Sequence, residues 1–126
     1  MSFEGNTAPY LQYAYTRIMS IFRRAELNSG DINVPFNLRE QEEIALATRL
    51  LQYPEAVESV VEDYQANILC NYLFDLSQHF MTFYESCPVL KADDAVRDSR
   101  LRLCDLSAKT LKHGLALLGI QTVEHM

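Results

Sequence analysis

Apolar positions recur along this chain at steps of three and four, the period of a helix, and nowhere keep up the alternation that a strand needs. In the first such stretch Leu11, Ala14, Ile18, Ile21, Phe22 and Ala25 fall in one sector roughly 100° wide, which predicts a buried face. Asn6 or Thr7 stands where a cap is needed, and Pro9 falls in the first turn, where its missing N–H costs nothing. The helix is expected to run to about Asn28. Gly30 and Pro35 then interrupt the period, and a second helix is expected from near Leu38, burying Ile44, Leu46, Ala47, Leu50 and Leu51 until Pro54 ends it. A short third helix over about residues 54–64 would bury Val57, Val60 and Val61, with a strand as the weaker alternative. The fourth, about residues 65–86, carries Ile68, Leu69, Tyr72, Leu73, Leu76, Phe80 and Phe83 on one side.

Pro88 breaks that pattern, and Asp93 or Asp94 can cap a fifth helix reaching Leu118. Leu101, Cys104, Ala108, Leu111, Leu115 and Leu118 line one side of it, with Leu103, Leu106 and Leu117 nearly opposite, so both sides are expected to be buried. Gly119 reads as its C-terminal cap. The predicted fold is all-α, a compact bundle of about five helices.

A chain of 126 residues, 48% hydrophobic and 22% charged, is one ordinary globular domain, large enough for its own core. Cys70, Cys87 and Cys104 are odd in number and form no Cys-x-x-Cys pair, which argues against a disulfide framework and a zinc site and for a reducing, cytoplasmic setting. The opening MSFEGN has neither a basic nor an apolar signal region, and no apolar run reaches transmembrane length, so no membrane partner is expected. A net charge of −6 tells against a general nucleic-acid binder. Its distribution changes that picture. Residues 1–64 hold ten acidic and five basic side chains, 65–90 two and none, and 91–126 five and six. An acidic body with local basic stripes suits contact with a few nucleotides better than tracking of a long backbone.

Such a stripe lies beside the buried sector of the first helix. Tyr10, Tyr13, Arg17, Ser20 and Arg24 follow one another at steps of three and four, so rings and guanidinium groups line up along the axis. Unpaired bases stack on aromatic planes while arginines hold phosphate, at about 1–3 kcal/mol per stacked base. The plainer reading is that the tyrosines widen the core and keep their hydroxyls wet. A second basic stripe, Arg102, Lys109, Lys112 and His113, reads as a solvated face, with nucleic-acid contact as the alternative.

Catalytic signatures are absent: there is no Gly-rich phosphate loop, no His-Glu-x-x-His, no Gly-x-Ser-x-Gly and no dinucleotide fingerprint. His79, His113 and His125 fall on different elements, and Cys70 and His79 are too far apart on one helix to be neighbouring metal ligands. Glu42 with Glu43, Glu62 with Asp63 and Asp93 with Asp94 are adjacent pairs whose side chains diverge on a helix, unsuited to acid–base work. No catalytic residue and no metal ligand is expected.

SFEGNTAPYLQYAYTRIMSIFRR at the start, NLREQEEIALATRLLQYPEAVE in the middle and PVLKADDAVRDSRLRLCDLSAKTLKHGLALLGIQTVEHM at the end resemble the C-terminal region of bacterial-type arginyl-tRNA synthetases. The resemblance covers practically the whole chain. It implies a helical anticodon-binding domain, also called the DALR domain, spanning residues 1–126 and following a class I catalytic domain. The His-Ile-Gly-His and Lys-Met-Ser-Lys signatures of that catalytic domain are not in this sequence. The expectation is therefore a fragment with an added initiating methionine, with no cofactor of its own, since ATP and arginine would bind the catalytic part.

The implied partners are the anticodon loop of tRNA-Arg and the catalytic domain of the same polypeptide, and the implied state is a monomer. Carried over by position, the anticodon contacts fall on Tyr10, Tyr13, Tyr84 and Met126; Arg17 and Arg24 join them as phosphate contacts because of the stripe. A competing reading makes the chain a helical interaction module whose tyrosine stripe packs on a partner domain. Two departures stand out. Asp105, Leu106, Ser107 and Ala108 replace the Asp-Ala-Leu-Arg signature, and His125 stands where relatives commonly carry arginine, which would make any RNA contact there pH-dependent.

Overall fold

The computed structural model describes residues 7–25, 34–63 and 65–120. Among these it forms five helices and no strand: α1 Thr7–Ala25, α2 Gln41–Leu51, α3 Tyr53–Asp63, α4 Ala66–Ser86 and α5 Asp94–Leu117. The all-α bundle expected from the periodicity is the observed architecture. Asn6, the segment after Ala25 that was to extend α1, Gly30, His125 and Met126 lie outside the described residues. No helix among the described residues is long and apolar enough to cross a membrane.

α4 is the centre of the bundle, in contact with each of the other four helices, while α5 lies across α1, α2 and α4. The buried face of α1 holds Leu11, Ala14, Ile18, Ile21 and Phe22 as predicted, widened by Tyr15 and Met19, while Ala25 at its end is half-buried. It meets Leu69, Leu73, Leu76, Phe80 and Phe83 of α4 and Leu101, Leu103, Cys104, Leu111 and Leu115 of α5 in one continuous core. Each such side chain withdrawn from water contributes about 1.5–3 kcal/mol. At Gly114 α5 packs closely on α4, because a Cβ there would stand 2.8 Å from both terminal methyls of Leu73. α5 then stops as expected: Gly119 has φ +79°, its N–H reaches the Ala116 carbonyl at 3.0 Å, and the Ile120 N–H reaches that of Leu115 at 2.8 Å.

Other expectations need correction. α2 begins at Gln41 rather than near Leu38, since residues 34–40 run as a non-helical arm along α5. The Asn37 N–H donates to Ser99 Oγ at 2.7 Å, and Arg102 donates to the Val34 carbonyl with its guanidinium 4.4 Å above the Phe36 ring. Arg102 is thereby engaged by the arm and is not part of a solvated stripe. Of the five residues expected to be buried on α2, Leu46 and Leu50 are and Ala47 is half-buried, but Ile44 and Leu51 are 49% and 81% exposed, and Glu43 is buried in their place. The reason is electrostatic. Glu43 Oε1 accepts from the Glu40 and Arg39 N–H groups at 2.9 and 3.3 Å, Oε2 takes the Arg100 Nε at 3.3 Å, and Arg100 also donates to the Pro88 carbonyl at 2.6 Å. A carboxylate so satisfied can be fully buried at a helix N-terminus, which turns Ile44 outward.

In α3 the buried residue is Ala56; Val61 is 69% exposed and Val57 and Val60 are half-buried. Ile68, Leu106 and Leu117 are likewise exposed, so the second side of α5 is buried at Leu103 and open further along. Asp93 precedes α5, but its side chain makes no capping hydrogen bond. Cys70, Cys87 and Cys104 are free, buried thiols, each with its pKa pushed up chiefly by burial, which makes them poor nucleophiles.

Candidate nucleic-acid interface

Winding α1 with its core face inward leaves Tyr10, Tyr13, Arg17, Ser20 and Arg24 on the flank that borders α4. Two contacts fix the relation. The ring of Tyr10 lies 5.0 Å from that of Phe74 at 45°, and Arg24 donates to the Tyr84 hydroxyl at 2.7 Å. The early residue of one helix thus meets the earlier residue of the other, and α1 and α4 run in the same sense. Tyr84 is held by the core beneath it, its ring stacked on Phe80 at 6.1 Å and 8°.

Between these ends, Tyr13 is 48% exposed, and Arg17 donates to its hydroxyl at 3.1 Å with the guanidinium 5.7 Å from the ring centre. The stripe is therefore two arginine–tyrosine couples, Arg17 with Tyr13 and Arg24 with Tyr84, plus a Tyr10–Phe74 ring pair. Tyr10 and Arg24 are fourteen residues apart, about 21 Å along the axis at 1.5 Å per residue. That length matches roughly six stacked nucleotides at 3.4 Å each. Of the three arginines of α1, Arg17 and Arg24 stand on the ridge, and α1 has no acidic residue in a chain of net charge −6, so the α1 side of the ridge is locally cationic beside an α4 that brings two acidic residues and no lysine or arginine.

Of the six residues expected at the site, the structure brings Tyr10, Tyr13, Arg17, Arg24 and Tyr84 onto one surface, and Met126 lies outside the described residues. Sequence reasoning missed Phe74. The available signal was an aromatic residue off the apolar stripe of α4, where the other two phenylalanines, Phe80 and Phe83, are buried. Among the described residues no group of three His, Cys, Asp or Glu side chains could hold a metal ion. A cleft of about 530 Å³ between α2, α3 and α4 is lined by Arg49, Tyr72 and Asp75, but Arg49 Nε is 2.8 Å from Asp75 and its guanidinium covers the Tyr72 ring at 4.6 Å. Those groups are spent on holding α2 to α4.

The fold and ridge together define an all-α bundle that presents aligned rings and guanidinium groups, the two kinds of group on which unpaired bases stack and phosphates are held. The fold matches that of a solved arginyl-tRNA synthetase from Thermus thermophilus with a TM-score of 0.85 and 38% identity, over 99% of this chain and 22% of that one. Arginine–tRNA ligases of Haemophilus ducreyi and Photobacterium profundum are 55% and 52% identical over the whole of this chain, again covering 22% of each relative. The family described as the DALR anticodon binding domain matches residues 11–126, and the chain belongs to that family. It spans about a fifth of the length of the curated relatives it matches.

Proposed function

We propose that this chain is the anticodon-reading domain of an arginine–tRNA ligase and binds the anticodon loop of tRNA-Arg along the α1–α4 ridge. The observation that carries the reading is the pair of arginine–tyrosine couples. Tyr13 offers a ring face for a base, and Arg17 and Arg24 offer cations for the adjoining phosphates, on the α1 side of the ridge, which is positive within an acidic molecule. In this reading Tyr13 and Tyr10 take splayed bases, Arg17 and Arg24 exchange their tyrosine partners for phosphate oxygens, and Tyr84 closes the far end. The chemistry of aminoacylation belongs to a catalytic domain of the same polypeptide, in the cytoplasm, where ATP and arginine bind. The present chain contributes recognition as a monomer and holds no cofactor.

In this reading a surface for docking a protein partner fits elsewhere on the bundle. The exposed aliphatic side chains Ile44, Leu51, Leu106 and Leu117 sit on α2 and α5 rather than on the ridge. The test is a titration of the chain with the tRNA-Arg anticodon stem-loop and with a loop altered at the middle anticodon base, using Tyr13→Ala as control. Preference for the natural loop, lost in Tyr13→Ala, is the expected result. Equal, weak affinity for both loops with no effect of the substitution overturns the reading.

A further inference from the structure

We propose that Phe74 is a further RNA contact, forming with Tyr10 a two-ring seat for one unpaired base at the head of the ridge. The inference rests on the anticodon-loop reading above and deepens it, because it moves part of the recognition surface from α1 to α4.

Phe74 is 36% exposed on a helix whose other two phenylalanines, Phe80 and Phe83, are 1% and 0% exposed. The part of the Phe74 ring that stays in contact with water lies beside Tyr10 on the flank of α4 away from the deep core, and is apolar surface on which a flat occupant can be buried. Its neighbour says which kind. The Tyr10 and Phe74 centroids are 5.0 Å apart and their planes are inclined at 45°, so the rings diverge. A flat heterocycle stacked on the face of one ring is inclined at 45° to the other and meets it in the same tilted contact that the two rings already make.

Phe74 also belongs to a row. Phe74, Ser77, Met81 and Tyr84 follow at steps of three, four and three and share one flank of α4, and the far member of that row is already joined to Arg24. The row runs beside Tyr10, Tyr13, Arg17 and Arg24 in the same sense. Charge placement completes the seat. Arg17 stands two turns beyond Tyr10, about 10 Å along the axis, where it can hold a phosphate of the nucleotide that follows the seated base.

The experiment uses the chain with an anticodon stem-loop carrying 2-aminopurine at each loop position in turn, comparing wild type, Phe74→Leu and Phe74→Tyr. The expected result is one loop position whose fluorescence is quenched on binding to wild type and to Phe74→Tyr but not to Phe74→Leu. Affinity should be about tenfold weaker in Phe74→Leu, with the unfolding midpoint unchanged. A photoreactive Phe74→p-benzoylphenylalanine variant should crosslink to the same loop position, which gives a second readout independent of Leu tolerance. If wild type binds the loop while Phe74→Leu binds and quenches equally and the photoreactive variant gives no crosslink, the seat is overturned and the ridge assignment stands. If wild type shows no loop affinity, the assignment of the ridge itself falls, and the seat with it.

Discussion

Tyr13 and Arg17 show how a side chain can be committed and available at once. The guanidinium rests on its tyrosine at 5.7 Å and hydrogen-bonds the hydroxyl at 3.1 Å, contacts that are weak at an exposed position and can be traded for phosphate. Arg17→Ala should therefore lower the slope of log affinity against log salt by about 0.7, the amount for one contact on a single strand, as read from titrations at several salt concentrations. Tyr13→Ala should weaken stem-loop binding by about tenfold while leaving the urea midpoint in place, because an exposed ring contributes little to folding. The tyrosine–arginine stripe was legible in the sequence because its members differ in chemistry from the core and recur at the helical period. Phe74 was not. Its place off the apolar stripe of α4 sets it apart from Phe80 and Phe83, but that it meets Tyr10 on the flank of α1 shows only once the two helices are docked. Tyr84 was reached only through the resemblance, and its contact with Arg24 spans sixty residues of sequence.

Elements are joined here by a few specific contacts, and these are where substitutions should cost most. Arg100→Met would leave the fully buried Glu43 carboxylate without its cation and strip the Pro88 carbonyl of its donor, so a loss of about 3–5 kcal/mol is expected in denaturant unfolding. Combining it with Glu43→Leu should recover part of that loss. At the α4–α5 crossing, Gly114→Ala gains about 1 kcal/mol of helix propensity but drives a methyl to 2.8 Å from a Leu73 side chain that has no exposed surface to turn into. Overpacking of this kind costs about 1–3 kcal/mol, so the expected outcome is a net lowering of the thermal midpoint. Helix existence and order were legible throughout. The inner face of α2 was not, because in eleven residues the period alone cannot tell that a glutamate, satisfied by backbone N–H groups and a distant arginine, will displace Ile44 from the interior.

For the molecule as a whole, alkaline pH is the informative stress. Burial pushes the Tyr53 hydroxyl up to about 12 and raises that of Tyr72 as well, against the pull of Arg49. The native state holds these protons above pH 10, where the unfolded chain releases them, so stability present at neutral pH should fall as pH rises from about 10 towards 12. Urea midpoints measured across that range should decline, and less steeply in Tyr53→Phe. The Tyr53 hydroxyl lies 2.5 Å from His113 Nδ1, and its ring meets the Tyr72 ring at 5.7 Å, so the decline reports the junction of α3, α4 and α5. The three thiols offer a different measure. Cys70 sits near the start of α4, Cys87 at its end and Cys104 in the middle of α5, each sealed from solvent and each unreactive while sealed. A thiol-modifying reagent therefore turns them into three clocks wound by the same bundle. One shared rate means that the helices part only together, whereas a faster Cys87 means that the foot of α4 opens alone and that Tyr84, one turn away, is lent to the ridge rather than fixed in it.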